Sequence, residues 1–306
     1  MAVGTPKAIV KVKGEVNEAT TIAFGGTTVK KLIGSTGAKI EGTNGTVNLI
    51  ELRDTANVTV YDLTVGGNAG SHPASCVALV AGTPTLTVIN GKIEACQNGL
   101  TVSGGTLTVN GTRLSANTAA GISASGGTVT LTGATVTGNS GGGVSITNSG
   151  FKLVNNFIFR NGNQDTSLFG GVKLSFSTAG TNVFAFNTVV DNRSQAGVTR
   201  AGGIICDVPT FTASNNIIAR NQSGSSPPSA TAQTLGDCVF GTTQIQNNVV
   251  GLNFAAPDAE PYDYHLLAGS IVIDMGTTPS DIVVDIDGDS RPQGANKDRG
   301  ADEYKP

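Results

Sequence analysis

The chain has 306 residues, enough for one sizeable core, and its composition is 13% charged, 5% aromatic, without Trp and with 42 Gly. A formal net charge of −3 and a pI near 5.4 give no cationic footprint for nucleic acid or an anionic membrane, so neither is an expected partner. No uninterrupted apolar stretch approaches the ~20 residues of a membrane-spanning helix, and aliphatic residues recur along the whole length, which excludes a disordered chain.

Residues 1–29 are expected to hold an N-terminal cap and first strands. Met1 is followed directly by Ala2-Val3-Gly4, with neither a basic start nor an apolar signal core. Together with the cysteine pairing argued below, this favours an exported chain whose leader has been removed. From Lys30 to Gly67 the runs Lys31-Leu32-Ile33-Gly34, Ala38-Lys39-Ile40-Glu41-Gly42 and Val58-Thr59-Val60-Tyr61-Asp62-Leu63-Thr64-Val65 read as short strands separated by turns.

A repeat then dominates residues 30–254. Its unit is an aliphatic residue with Asn three positions later, as in Gly111-Thr112-Arg113-Leu114-Ser115-Ala116-Asn117 and Asn155-Asn156-Phe157-Ile158-Phe159-Arg160-Asn161. The central aliphatics Ile93, Leu114, Val136, Ile158, Val189, Ile218 and Val250 are separated by 21, 22, 22, 31, 29 and 32 residues. A minimum near 22 matches a coil of three short strands and three turns, with insertions confined to polar turns such as Gly162-Asn163-Gln164-Asp165 and Ser223-Gly224-Ser225-Ser226-Pro227-Pro228. The fold class expected is therefore all-β, a single right-handed parallel β-helix with an irregular C-terminal cap. Sandwiches and barrels predict hairpins between facing strands, and a leucine-rich solenoid needs its own Leu pattern; neither signature is visible.

Stacking coils about 4.8 Å apart turns equivalent residues into columns. Leu86, Leu107, Val129 and Phe151 form one inward column, and Val88, Val109, Leu131, Leu153 and Phe184 another. Asn117, Asn139, Asn161, Asn192, Asn221 and Asn253 form an asparagine ladder. The same register places Cys206 and Cys238 each 12 residues before their markers, and Cys76 and Cys96 17 and 18 before theirs, which predicts the disulfides Cys76–Cys96 and Cys206–Cys238. Disulfides imply an oxidising compartment, so an extracellular or outer-surface location is expected.

Residues 255–306 read as the cap. The runs Asp263-Tyr264-His265-Leu266-Leu267 through Gly276, Asp285-Ile286-Asp287-Gly288-Asp289-Ser290-Arg291-Pro292 and Gly300-Ala301-Asp302-Glu303-Tyr304 resemble the closing segment of bacterial right-handed β-helix repeat proteins of the polymorphic-outer-membrane-protein-like and choice-of-anchor Q group. The opening coils look like those of the pectate-lyase-like superfamily. This resemblance implies a secreted or cell-surface bacterial protein, often one piece of a larger chain, and does not imply catalysis.

Chemistry is sparse. The lyase pattern Arg-x-Pro-x-x-Arg is missing, and where lyases of the superfamily carry metal-binding acids this chain has Gly66-Gly67-Asn68-Ala69-Gly70-Ser71-His72. Candidate glycosidase carboxylates are Asp165, Asp191, Asp207 and Asp237, which would have to meet in one groove. Asp191 shares its column with Arg160 and Arg220, a ladder expected to hold the acid ionised, either as a stacking salt bridge or as a contact for an acidic sugar. His72 and His265 read as loop or cap residues. The Thr-x-Thr rungs at Thr85, Thr106 and Thr128 form a flat face of the ice-binding kind, broken after three rungs by Gly150-Phe151-Lys152. Asp285, Asp287 and Asp289 alternate as in calcium loops, but Ser290 and Asn296 stand where the loop's Gly and closing Glu belong; the competing reading is a structural turn whose acids bond backbone amides and pair with Arg291 or Arg299. Calcium there is the one cofactor considered.

The leading expectation is a non-catalytic extracellular scaffold or adhesive module that touches polysaccharide or another surface protein. The alternative is a polysaccharide-acting enzyme, a glycosidase more than a lyase; ice binding is the minor one.

Overall fold

Runs such as Thr85-Leu86-Thr87-Val88-Ile89 alternate side chains between two faces, so one face can enter a core while the other meets water. In the computed structural model, which describes residues 8–27, 29–68, 70–175, 182–208, 211, 213–225, 230–246, 250–277 and 281–306, that alternation builds a right-handed parallel solenoid with one four-residue helical turn, Ala230–Gln233. Three parallel sheets of eight, ten and nine strands run its length, and each coil visits them in the same order. One coil comprises Thr85–Ile89 in the first sheet, Lys92–Glu94 in the second and Asn98–Val102 in the third. The next begins at Thr106–Asn110.

Both inward columns stand as read, with Leu86, Leu107, Val129 and Phe151 in register and Val88 through Phe184 beside them. The first coil already starts at Ala8–Val12, paired to Val29–Gly34, so residues 8–24 belong to the solenoid body and the division expected at residue 29 falls between two coils. At the far end the register differs from expectation. The residue stacked on Ile218 is Ile245, 27 positions later, whereas Val250 is 74% exposed; Asn248 and Val249 lie outside the described residues, as do Ser226, Pro227 and Pro228.

The turn after each second-sheet strand from Lys92–Glu94 to Ile217–Ala219 places one residue in the left-handed region: Ala95, Ala116, Gly138, Arg160, Asp191 and Arg220 all have φ between 53° and 65°. One residue later comes the asparagine ladder. Nδ2 of Asn117 donates to Oδ1 of Asn139 at 2.8 Å, and the relay continues through Asn161, Asn192 and Asn221 at 2.8–3.0 Å. Each amide thereby satisfies turn backbone that would otherwise be orphaned in the core. The ladder ends on Oε1 of Gln233 and not on Asn253, whose side chain donates to the Ala268 carbonyl in the C-terminal segment. A second ladder, Asn156 to Asn187 to Asn216, closes on the Thr243 hydroxyl.

The first ladder explains a glycine column. A Cβ at Gly99, Gly121 or Gly143 would come within 3.0–3.2 Å of the amide nitrogen of Asn117, Asn139 or Asn161, so only Gly lets the ladder close up. One coil earlier, Cys76 occupies the glycine place and Cys96 the asparagine place, since Ser75 pairs with Asn98 and Glu94 with Ser115. Their disulfide replaces the Gly–Asn contact. Both expected bridges are closed, each with Cα atoms 5.6 Å apart. The pairings are as predicted, but neither pair shares one column: Cys206 stacks on Gly236, two residues before Cys238.

The C-terminal segment provides the correction of largest consequence. Residues 250–277 and 281–306 lie along the outer flank of the second sheet, where an antiparallel pair, Phe254–Ala256 and Asp263–Leu266, packs with Val272 and Ala301 on Phe157, Phe159, Val190, Ile217 and Ala219. Asn155 and Asn215 donate to the Val284 and Thr277 carbonyls, tying the flap to coils that begin 60 residues apart. The cap is irregular as expected, yet it covers a side of the solenoid and not only its end.

Candidate functional site

Because the left-handed turn projects its side chain outward beside the second sheet, Arg160, Asp191 and Arg220 meet the C-terminal segment where it crosses. Arg220 Nε donates to Asp191 Oδ1 at 2.7 Å and its NH2 to Asp258 at 2.5 Å. The Tyr264 hydroxyl donates to Asp191 Oδ2 at 2.5 Å. Burial pushes the Asp191 carboxyl above the ordinary aspartate range, outweighing the hydrogen bond from Tyr264 and the charges of Arg220 and Arg160. The sequence expectation that two guanidiniums hold this acid ionised is thus reversed in direction, because the covering segment removes water that the sequence pattern does not register. Burial likewise raises the Tyr264 phenol. Asp191 and Arg220 form a packing contact between coil and cover.

Arg160 is different. Its guanidinium carbon sits 3.6 Å above the Tyr262 ring, NH2 donates to the Pro257 carbonyl, and Nε is buried without an acceptor. It lines an open groove of about 400 Å³ together with Thr137, Ser115, Arg113 and Lys92 of the second sheet and Glu260 and Tyr262 of the flap. Lys92 and Arg113 are register partners on adjacent coils. Lys92 is paired to Glu94 at 2.6 Å, whereas the exposed Arg113 guanidinium has no partner among the described residues. A smaller recess of about 200 Å³, lined by Arg160, Gly162, Asp191 and Arg193, adjoins it. Sequence reading found Arg160 and missed Lys92, Arg113 and Tyr262, since the groove exists only where the flap's edge meets the bare sheet.

The other candidate acids lie elsewhere. Asp165 is exposed in an inserted turn ordered by Asn163, whose Oδ1 accepts its amide. Asp207 and Asp237 are exposed at the end of the third sheet, one position beyond the pair Cys206–Gly236, which stacks them on neighbouring coils. Asp191 joins neither. The three acids proposed for calcium do not converge: Asp285 accepts the amides of Asp287, Asp289 and Glu303, Asp289 pairs with Lys305 at 2.5 Å, and Asp287 faces His265. Asp285 is spent on backbone amides, as the structural-turn reading expects, while Arg291 pairs with Glu303 at 2.8 Å, both side chains fully buried. His72 binds the Ala95 carbonyl. The Thr rungs stack as read, at Thr85, Thr106 and Thr128, and end on Gly150 and Lys152.

The profile of the "right handed beta helix region" matches residues 16–158 and 101–257, which together span most of the solenoid. The chain belongs to this family. Among solved structures this right-handed β-helix protein is similar to the crystal structure of pectate lyase Pel9A, with a TM-score of 0.62 and 15% identity over 99% of this chain and 90% of that one. At that identity the likeness is one of fold. No curated protein sequence matches the chain.

Proposed function

We propose that this β-helix protein is a non-catalytic extracellular scaffold, of the surface-displayed kind and working as part of a larger assembly, that contacts an acidic polysaccharide in the groove beside Tyr262. The observation that carries the reading is the alignment of Lys92, Arg113 and Arg160 along one open groove with an aromatic wall. Carboxylates of a sugar acid match guanidinium donors. Two closed disulfides support an oxidising compartment.

Isothermal titration with polygalacturonate and with neutral glucan at low salt tests it. Binding of the acidic polymer alone is expected, weakened about tenfold by Arg113→Ala, roughly the loss of one charge-assisted contact. Equal binding of both polymers, or none, overturns the assignment. The stacked Asp207 and Asp237 favour a second reading as a glycosidase pair. Reducing ends released by the wild type and abolished by Asp207→Asn would establish that reading in place of the scaffold.

A further inference from the structure

Within the covering flap, three elements distant in sequence bring ligating groups together. His265, in the strand Asp263–Leu266, places Nε2 2.9 Å from Asp287 Oδ2, and a carboxylate oxygen of Asp302 lies with them in a cluster spanning no more than 4.8 Å. The imidazole is held from behind. Its Nδ1 hydrogen-bonds Asp263 Oδ1, which fixes the ring so that Nε2 is the nitrogen presented to the two acids, and the ring packs edge-on against Phe157. This is the arrangement in which an outer carboxylate orients a metal-binding histidine.

Charge points the same way. Asp263, Asp287 and Asp302 surround one imidazole, so even a protonated ring leaves two negative charges uncompensated. Lys305 pairs directly with Asp289 and acts on Asp287 only through space, and Arg291 pairs with Glu303. Asp302 is only 7% exposed, and its one hydrogen bond among the described residues is accepted by Oδ2 from the Leu266 amide.

We propose that His265 Nε2 and the carboxylates of Asp287 and Asp302 form a binding site for a divalent transition-metal ion, with zinc the best match. An imidazole nitrogen combined with carboxylate oxygens suits zinc, whereas calcium takes an all-oxygen shell. Zinc ligands at about 2.0–2.2 Å in a tetrahedral array stand roughly 3.4 Å apart, so the cluster needs only small adjustments. Asp287 can supply them, because its side chain is half exposed on a turn. The exposed side leaves the fourth position to water. Bound metal would tie the strand at His265, the turn at Asp287 and the chain's last stretch at Asp302, fastening three parts of the flap.

The test uses the full chain without a polyhistidine tag, treated with chelator, dialysed and titrated with zinc chloride in a calorimeter near neutral pH. One zinc per chain with a dissociation constant of micromolar or below, together with a rise in melting temperature, is expected. His265→Ala and Asp287→Ala should each weaken binding at least about tenfold. Asp287→Ala removes an exposed side chain, so a wild-type melting curve in the absence of metal verifies that it folds. Calcium should give no saturable heat at about 1 mM. No saturable zinc heat in the wild type, undiminished zinc binding by folded Asp287→Ala, or calcium binding as tight as zinc would each overturn the site. None of these outcomes bears on the glycan groove, which shares no residue with it.

Discussion

Along the outer flank of the second sheet the two halves of the molecule are built oppositely. In the earlier coils the outward positions hold Lys92 and Glu94, Arg113 and Ser115, Thr135 and Thr137, a polar face with Arg113 exposed, Lys92, Glu94 and Thr135 half-buried, and the small Ser115 and Thr137 buried. In the later coils the register partners of those positions are Phe157 and Phe159, Thr188 and Val190, Ile217 and Ala219, and the C-terminal segment lies over them. The inward column is indifferent to the change, running from Ile93 through Leu114, Val136, Ile158, Val189 and Ile218. One solenoid therefore carries two surfaces, a wet one for contact and a dry one that anchors a cover, and the groove with Arg113, Arg160 and Tyr262 marks the boundary between them.

Tyr264→Ala should break the comparison hardest. The ring is 1% exposed, packs 4.8 Å from Phe159 and 5.5 Å from Phe254, and its hydroxyl serves Asp191. A loss of about 3–5 kcal/mol is expected, as for large aromatic truncations, with a buried acid left short of a partner. Hydrogen exchange should show the loosening in residues 250–306 and the strands under them, with the coils from Thr85 to Thr137 unchanged. Equal loss of protection in both halves would show that the cover is not a separable layer.

Asn139→Ala probes the part common to both halves. It removes the acceptor of the Asn117 amide groups and the donor to Asn161 and Leu114. At about 1–3 kcal/mol for a buried group left unsatisfied, a cost near 2–3 kcal/mol is expected from chemical denaturation. A ladder that is merely decorative would lose less than about 0.5 kcal/mol.

The smallest effect is one of pH and belongs to the covered half. Burial raises the Asp298 carboxyl to about 6, against the opposing hydrogen bonds from the Asp274 and Tyr304 amides. Its folded pKa lies above the unfolded value, so the folded chain binds the extra proton and this group's contribution to stability falls as pH rises from about 4 to about 6. Over that window the melting temperature of the wild type should therefore fall relative to that of Asp298→Asn, and the two should shift in parallel above it. A constant difference throughout would remove Asp298 as the source.

Much of the solenoid was legible because stacking makes sequence periodic. A column such as Val88, Val109, Leu131, Leu153 and Phe184 is a direct imprint of parallel register, and the Asn ladder and its Gly neighbours repeat for the same reason. The reading failed where that imprint ends. Val250 and Asn253 mimic the coil marker but belong to the flap, while the true stacking residue Ile245 also has an Asn, Asn248, three positions later, so the sequence offered two competing markers.

By itself the sequence determined the parallel solenoid, its inward columns, five rungs of the asparagine ladder and both cystine pairings, because all of these depend on one short repeat distance. Tertiary structure alone decided that the C-terminal strand pair, Val272 and Ala301 fold back over Phe157, Phe159 and Ile217, that Asp191 is buried under Tyr264, and that His265, Asp287 and Asp302 meet. Those contacts join positions more than 100 residues apart without any periodicity, 113 between Ala301 and Thr188 and 129 between Asn155 and Val284, and only the burial of an apolar flank selects them.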